Sequence, residues 1–240
     1  MIDNKCVIAA GGLGTRLTNF RNSGTTKMLL EVNGIPMINR QIQQMIQWGM
    51  DNFVIITNPE FDSLTKEITT KNFSDINLNF VIQNEPLGIS HALLQAEPYI
   101  ENTERVVFIL GDNFFEFDPL HGKNILNIEN KIGSYIFTYE VENPSDFGVA
   151  ILDDQGKVIS IEEKPENPKS NKAIVGLYVY DDTVIEKIKR LTPSSRGEYE
   201  ITDLNNLYIE EGLCESIDIN GWWIDAGTPE RIEELETKLI

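Results

Sequence analysis

The stretch Lys5-Cys6-Val7-Ile8-Ala9-Ala10-Gly11-Gly12-Leu13-Gly14-Thr15-Arg16-Leu17 decides how this chain folds. Its first half, Lys5–Ala10, is a short apolar run and reads as a buried strand. Three glycines then free the backbone to turn tightly and to lie against something large and anionic. A single cation, Arg16, stands at the end of the turn. A glycine-rich turn that leaves a parallel strand and carries one fixed cation suits a nucleoside triphosphate. The spacing Gly12-x-Gly14-x-x-Leu17 approaches the dinucleotide fingerprint, but Leu17 stands where the third glycine belongs. The helix that should follow is missing too, because Asn19–Thr26 is long and polar. Taken alone, the stretch could also be an ordinary glycine-rich turn, the lesser of the two readings.

Outward from this strand, short apolar runs alternate with helical patterns. Pro36–Trp48 repeats Ile38, Ile42, Met45 and Ile46 on one helical face, with Pro36 at its start and Gly49 after its end. Phe53–Thr57 is read as a strand, Pro59–Thr70 as a helix, Leu78–Gln83 as a strand, Gly88–Ile100 as a helix and Arg105–Leu110 as a strand. Strand, helix and strand with short connections imply right-handed crossovers and a mostly parallel sheet. Ligands of such sheets bind beyond the carboxyl ends of the strands. Gly11–Arg16, Gln83–Gly88 and Gly111–Asn113 all fall there. The second half changes character. Gly133–Val141, Phe147–Leu152, Lys157–Glu163 and Ala173–Tyr180 read as strands with little helix between them, and Asp153–Gly156 as a hairpin turn. Glu200–Glu210 and Pro229–Leu239 read as helices. The expectation is one α/β domain over 1–240, with a Rossmann-like, mostly parallel mixed sheet flanked by helices. Residues 1–115 would form a nucleotide-binding half, and 116–240 a more antiparallel half.

The 240 residues carry 38 acidic and 20 basic side chains, a formal charge of −18. That field opposes phosphate-rich polymers, so neither nucleic acid nor an anionic membrane is an expected partner. A small anionic substrate needs local cations or a metal to offset it. The hydrophobic fraction of 41% is ordinary for a globular protein. Cys6 and Cys214 are far apart and form no CxxC pair, and no apolar leader or spanning segment is seen, so a reduced cytoplasmic protein is expected.

Several residues carry candidate chemistry. Lys27 closes the polar segment after the glycine turn and could complete a phosphate cradle, although a lone lysine is more often solvated. Asp112, just past the strand Arg105–Leu110, is either a turn former or a carboxylate holding Mg2+ near phosphates, as hard oxygen ligands suit. Asp225, in Trp222-Trp223-Ile224-Asp225-Ala226-Gly227, repeats that pattern. Glu162-Glu163-Lys164-Pro165 closes a strand and could hold sugar hydroxyls and a phosphate, or be a solvated turn. Arg196 is equally a surface arginine or part of a site. His91 and His121 lack metal-ligand spacing and read as structural.

In order and spacing, these motifs resemble the sugar-nucleotide pyrophosphorylases, and among them the glucose-1-phosphate thymidylyltransferases. The resemblance runs from Ile8 to about Glu230. It rests on Gly11-Gly12-x-Gly14-Thr15-Arg16-Leu17, Lys27-x-Leu29-Leu30, Gln83-x-x-Pro86-x-Gly88 and Leu110-Gly111-Asp112-Asn113. In the second half it rests on Phe147-Gly148-Val149, Glu162-Glu163-Lys164-Pro165, Pro168–Asn171, Gly176-Leu177-Tyr178, Arg196-Gly197-Glu198, Glu200–Asp203 and Asp225-x-Gly227-Thr228.

The resemblance implies a GT-A-like nucleotidyltransferase fold and a Mg2+-dependent reaction of a nucleoside triphosphate, dTTP first, with a hexose 1-phosphate, glucose 1-phosphate first. It implies catalytic roles for Arg16 at the departing phosphates and Lys27 at the α-phosphate, with Asp112 and Asp225 as metal ligands. Ala10, Gly11, Gly12, Gly14, Thr15, Gln83, Pro86 and Gly88 would bind the nucleotide. Asn113, Gly148, Glu163, Lys164, Ile174, Tyr178 and Arg196 would bind the sugar phosphate. Three departures stand out. Met28 replaces a usual glutamine beside the catalytic lysine, which leaves Gln83 as principal reader of the base and UTP or CTP as alternatives. Phe147 replaces a usual tyrosine. The chain also ends where longer members continue into a segment linked to tetramers and regulation, so a homo-oligomer here would be a dimer rather than a regulated tetramer. A catalytically silent nucleotide-sugar binder is the reading from another class.

Overall fold

The computed structural model describes residues 4–12, 26–100, 103, 105–116, 118 and 133–239. Nine described strands join one sheet. Its main path runs β10 (Val158–Glu163), β9 (Gly148–Leu152), β11 (Lys172–Tyr180), β6 (Arg105–Leu110), β1 (Asn4–Ala9), β4 (Asn52–Thr57) and β5 (Asn77–Ile82). β8 (Ser134–Glu140) pairs with β11, and β12 (Cys214–Asp218) with β8. β6, β1, β4 and β5 are parallel neighbours, in the register Ile8↔Ile55 and Ile8↔Ile109. The direction reverses at the middle, where β11 runs antiparallel to β6 with Leu177 opposite Ile109. The sheet is therefore mixed: parallel through the first half and mainly antiparallel through the second.

β4, β6 and the apolar centre of β1 are buried on both faces, as their apolar runs require, while β5 at the sheet's edge is only half-buried. Cys6 and Ile8 of β1 pack on one face with Met37, Ile38, Ile42 and Met45 of α1 (Met37–Gln47). Val7, between them, points to the other face, with Ala92 and Leu93 of α3 (Ile89–Gln95) and Leu204 of α6 (Ile201–Glu210). Each such fully buried aliphatic side chain contributes roughly 1.5–3 kcal/mol.

Some elements differ from expectation. The helix read over Gly88–Ile100 is two, α3 and α4 (Glu97–Ile100), with the break at Ala96. Pro98 lacks the N–H that a continuous helix would use, and its ring would meet the carbonyl of Leu94. The helix read from Pro59 begins at Asp62 as α2 (Asp62–Asn72), because Asn58 Oδ1 accepts from the N–H groups of Glu60 (3.1 Å) and Phe61 (3.0 Å) and holds a turn there. α5 (Val184–Lys189) and β12 were not anticipated, nor was the hairpin of β2 (Glu31–Val32) with β3 (Ile35–Pro36). A separate antiparallel pair also forms from β7 (Asn113–Phe115) and β13 (Trp223–Asp225), which bears directly on the site. The last helix, α7 (Pro229–Lys238), is capped by Thr228 as its sequence suggests.

Candidate active site

Because β1, β4, β5 and β6 run parallel, their carboxyl ends share one edge. Ala10 donates its N–H to Ile56 (2.8 Å), and the Gly11 carbonyl accepts from Asn58 Nδ2 (3.0 Å), so the start of the glycine turn is tied to the end of β4. No described residue beyond its chain neighbours comes within 4 Å of where a Cβ on Gly12 would stand. Gly14, Thr15 and Arg16 lie outside the described residues. Past the end of β5, Gln83 donates its backbone N–H to Thr57 (2.9 Å) and its Nε2 to the Gly88 carbonyl (3.1 Å). Gly88 has φ +102°, and a Cβ there would stand 2.7 Å from the Tyr199 carbonyl oxygen, so glycine is required. Pro86 is exposed on the loop between them.

At the end of β6, Lys27 and Asp112 meet. Lys27 is buried in a short 3-10 turn, and its Nζ forms an ion pair with Asp112 Oδ2. Burial works against the Asp112 charge. The Lys27 ammonium and hydrogen bonds from Lys27 and Asn113 outweigh it and hold the carboxyl below its ordinary range. The β7–β13 pair then brings in the second acid. Asp225 stands opposite Asn113, and the Ala226 N–H donates to the Asp112 carbonyl (2.8 Å). Asp112 and Asp225 thus flank one rung of paired strands, although 113 residues separate them in sequence. No group of three or more metal-ligating side chains occurs among the described residues. Two hard carboxylates on neighbouring backbone suit Mg2+, which takes one or two protein carboxylates and completes its shell with water and substrate phosphates.

Asn113, between the two acids, is wired on every side. Its Oδ1 accepts from the Gly176 N–H (2.9 Å) and from Trp223 Nε1 (2.7 Å), and its Nδ2 donates to Asp112 Oδ1 (2.9 Å). It lines a cavity of about 410 Å3. All the residues expected to bind the sugar phosphate line the same cavity: Asn113, Gly148, Glu163, Lys164, Ile174, Tyr178 and Arg196. Strand geometry explains the grouping. Ile174, Gly176 and Tyr178 alternate along β11 and share one face. Glu163 and Lys164 are consecutive and would point to opposite faces of a regular strand. Lys164 instead adopts φ +43°, and both line the cavity. Such a conformation costs a side-chain-bearing residue roughly 1–2 kcal/mol. Asp225 lies at the boundary with a second cavity of about 650 Å3 that Glu140, Glu142 and Arg231 help to line.

The cations of the cavity are engaged by carboxylates of its own lining. Arg196 donates to Glu200 through Nε (3.1 Å) and Nη2 (2.7 Å), with carboxylates of Glu163 and Glu198 each 3.6 Å away. The Glu200 hydrogen bonds, against burial and together with the charges of Glu200, Glu198 and Glu163, raise the pKa of the guanidinium. Thr202 Oγ1 donates to Glu163 Oε2 (2.7 Å) and fixes that carboxylate.

Known proteins match this chain over nearly its whole length. The family model for "Nucleotidyl transferase" matches residues 5–240. The chain belongs to the nucleotidyl transferase family. A glucose-1-phosphate thymidylyltransferase of Mycolicibacterium smegmatis is 39% identical over 225 residues, covering 92% of this chain and 77% of its own. A crystal structure of a putative glucose-1-phosphate thymidylyltransferase from Bacillus anthracis, in complex with a sucrose, superposes with a TM-score of 0.88 at 36% identity, covering 98% of this chain and 94% of its own. A UDP-glucose pyrophosphorylase complexed with UDP-glucose superposes with a TM-score of 0.84 at 25% identity, covering 100% and 98%. Within the family the chain groups with these sugar-1-phosphate nucleotidyltransferases.

Two features of this nucleotidyl transferase were misjudged or missed in the sequence. Met28, expected to mark the base pocket, is buried in the core, where its Sδ and Cε fill the space that a Cβ on Gly111 would need. Trp223 was quoted only as part of an apolar run, yet it lines the cavity, anchors Asn113, and meets Phe147 edge-on at 5.4 Å. Its signal was available: it lies two residues before Asp225 on a strand and so shares its face. Glu200 and Thr202 were quoted only within the motif Glu200–Asp203; what defines them is contact, Glu200 with Arg196 four residues before it and Thr202 with Glu163 of β10.

Proposed function

We propose that this transferase moves the thymidylyl group of dTTP onto glucose 1-phosphate, with Mg2+, to give dTDP-glucose and pyrophosphate. An oxygen of the sugar phosphate forms a bond to the α-phosphorus while the bond from that phosphorus to the β-phosphate oxygen breaks. Positioning and charge neutralisation do most of the work in such a transfer. The observation that carries the proposal is the β7–β13 pairing. It couples Asp112, at the end of a nucleotide-half strand, to Asp225, at the rim of the second-half cavity.

In this reading Asp112 and Asp225 hold Mg2+, which when bound neutralises phosphate charge. Lys27 leaves its pairing with Asp112 to meet the α-phosphate, and Arg16 meets the departing pyrophosphate. Ala10, Gly11, Gly12, Gly14 and Thr15 cradle the triphosphate, while Gln83, Pro86 and Gly88 meet the base. Glu163, Asn113, Gly148, Ile174 and Tyr178 orient the hexose, and Lys164 and Arg196 hold its phosphate. A cytoplasmic, dimeric enzyme completes the proposal. No described helix is long and apolar enough to cross a membrane. The likeness to a UDP-glucose pyrophosphorylase favours UTP as the second reading.

The test pairs dTTP, UTP, CTP, ATP and GTP in turn with glucose 1-phosphate and measures pyrophosphate, for the wild type and for Asp225→Asn. dTTP should turn over fastest in the wild type, and the variant should lose most activity while melting normally. Fastest turnover with UTP selects the second reading. Near-normal rates for Asp225→Asn at limiting Mg2+ would remove Asp225 from the metal site.

A further inference from the structure

The geometry points to His91 as a positioning residue that turns the Gln83 amide so that it accepts, rather than donates, toward the base. The site would thereby select a thymine- or uracil-type base over a cytosine-type one. The inference rests on the proposed reading in which Gln83 meets the base.

The Gly88 carbonyl and His91 hold the amide orientation together. Gln83 Nε2 lies 3.1 Å from the Gly88 carbonyl oxygen, which can only accept, so the amino group must be at that end. The same Nε2 is 3.1 Å from His91 Nδ1. Its two hydrogens go one to each partner, provided that Nδ1 carries the lone pair. Gln83 Oε1 then has no partner among the described residues and is left for a ligand. Thymine and uracil present an imide N–H that such an oxygen accepts. Cytosine presents a lone pair at the equivalent ring nitrogen, and two acceptors would oppose each other.

His91 is held in place for this task. Its ring stacks on Tyr199, with centroids 6.1 Å apart and planes 25° from parallel. Tyr199 donates its N–H to the Leu87 carbonyl (2.8 Å) and accepts from the Ser90 N–H (3.2 Å), so the base loop, the imidazole and Tyr199 form one unit. A competitor stands on the far side. Gln95 Nε2 is 3.2 Å from His91 Nε2 and 3.1 Å from the His91 carbonyl. A neutral imidazole has one lone-pair nitrogen and cannot serve both amides. Assigning it to Gln83 makes His91 the Nε2–H tautomer, while Gln95 keeps its bond to the carbonyl. A doubly protonated ring would serve neither.

Nitrogen-15 NMR of histidine-labelled wild-type protein reads the tautomer directly, with His91→Gln identifying which of the two histidines is which. Expected at neutral pH is a bare Nδ1 and a protonated Nε2; a protonated Nδ1 overturns the inference. Steady-state kinetics supply the second readout. In His91→Leu the ratio of kcat/KM for dTTP over CTP should fall about five- to tenfold, the worth of one hydrogen bond, through KM. His91→Asn, which can again present an acceptor, should restore part of the loss. An unchanged ratio, or equal losses with both nucleotides, overturns it. If His91→Leu does not fold, the wild-type tautomer decides alone. Wild-type inactivity with every triphosphate would instead sink the functional reading itself, a distinct result.

Discussion

Lys27 and Asp112 show how strongly a residue's meaning depends on a partner far along the chain. Read alone, Lys27 is an ordinary solvated lysine; in the fold it is buried and paired with a carboxylate 85 positions away. Without that cation, burial would raise the Asp112 pKa; with it, the value is depressed. A depressed carboxylate contributes stability above its unfolded value, and this is lost as pH falls through the folded value. On the carboxylate side the contribution is therefore constant across neutral pH and is lost in acid, as pH falls below the ordinary 3.8. Lys27→Met should raise the Asp112 carboxyl, since burial is then opposed only by the hydrogen bonds from Asn113 and the backbone; carbon-13 titration of the side chain reads it. The variant should also lose on the order of 2–3 kcal/mol in urea unfolding, after discounting for the partial exposure of Asp112. A carboxyl that does not rise in Lys27→Met would mean that Lys27 is not what depresses it.

At the scale of elements, the parallel strands and the two-face core were legible because apolar runs and helical periodicity are local signals. β7 and β13 were not. Each is three residues long, and what makes them strands is their pairing with each other across the chain, which no local pattern encodes. The same pairing explains why β11 is irregular. Its register against β8 breaks between Ile174 and Tyr178, where Gly176 gives its N–H to Asn113 instead. A Cβ on Gly176 would lie 2.7 Å from the Asn113 side chain, which Trp223 and Asp112 already fix. Gly176→Ala should therefore displace Asn113. We expect KM for the sugar phosphate to rise severalfold, with a loss of about 1–3 kcal/mol in stability from overpacking. Unchanged KM and melting temperature would show that Asn113 can move aside at no cost. Among the site residues, those set by strand alternation were legible, as at Ile174 and Tyr178. Lys164 reaches the cavity only through a left-handed backbone turn, and nothing in the flanking sequence announces that turn.

For the whole molecule, a charge of −18 must accommodate two phosphate-bearing substrates. The described cations near the site are already engaged with carboxylates: Lys27 with Asp112, Lys164 with Glu163, and Arg196 with Glu200, Glu198 and Glu163. In the proposed reading, substrates exchange places with these acids, and a divalent ion at Asp112 and Asp225 would drive part of that exchange. The nine-stranded sheet fits this demand. Its parallel half presents the carboxyl edge, its antiparallel half builds the cavity, and the β7–β13 pair links the two. The central claim is transfer of the nucleotidyl group between substrates held on either side of that link. Following the label of dTTP carrying phosphorus-32 at the α-position, in the presence of glucose 1-phosphate and Mg2+, tests it most directly. The account predicts that label appears in a nucleoside diphosphate hexose, mole for mole with unlabelled pyrophosphate. Label that stays in the triphosphate, or emerges as free dTMP, would contradict it.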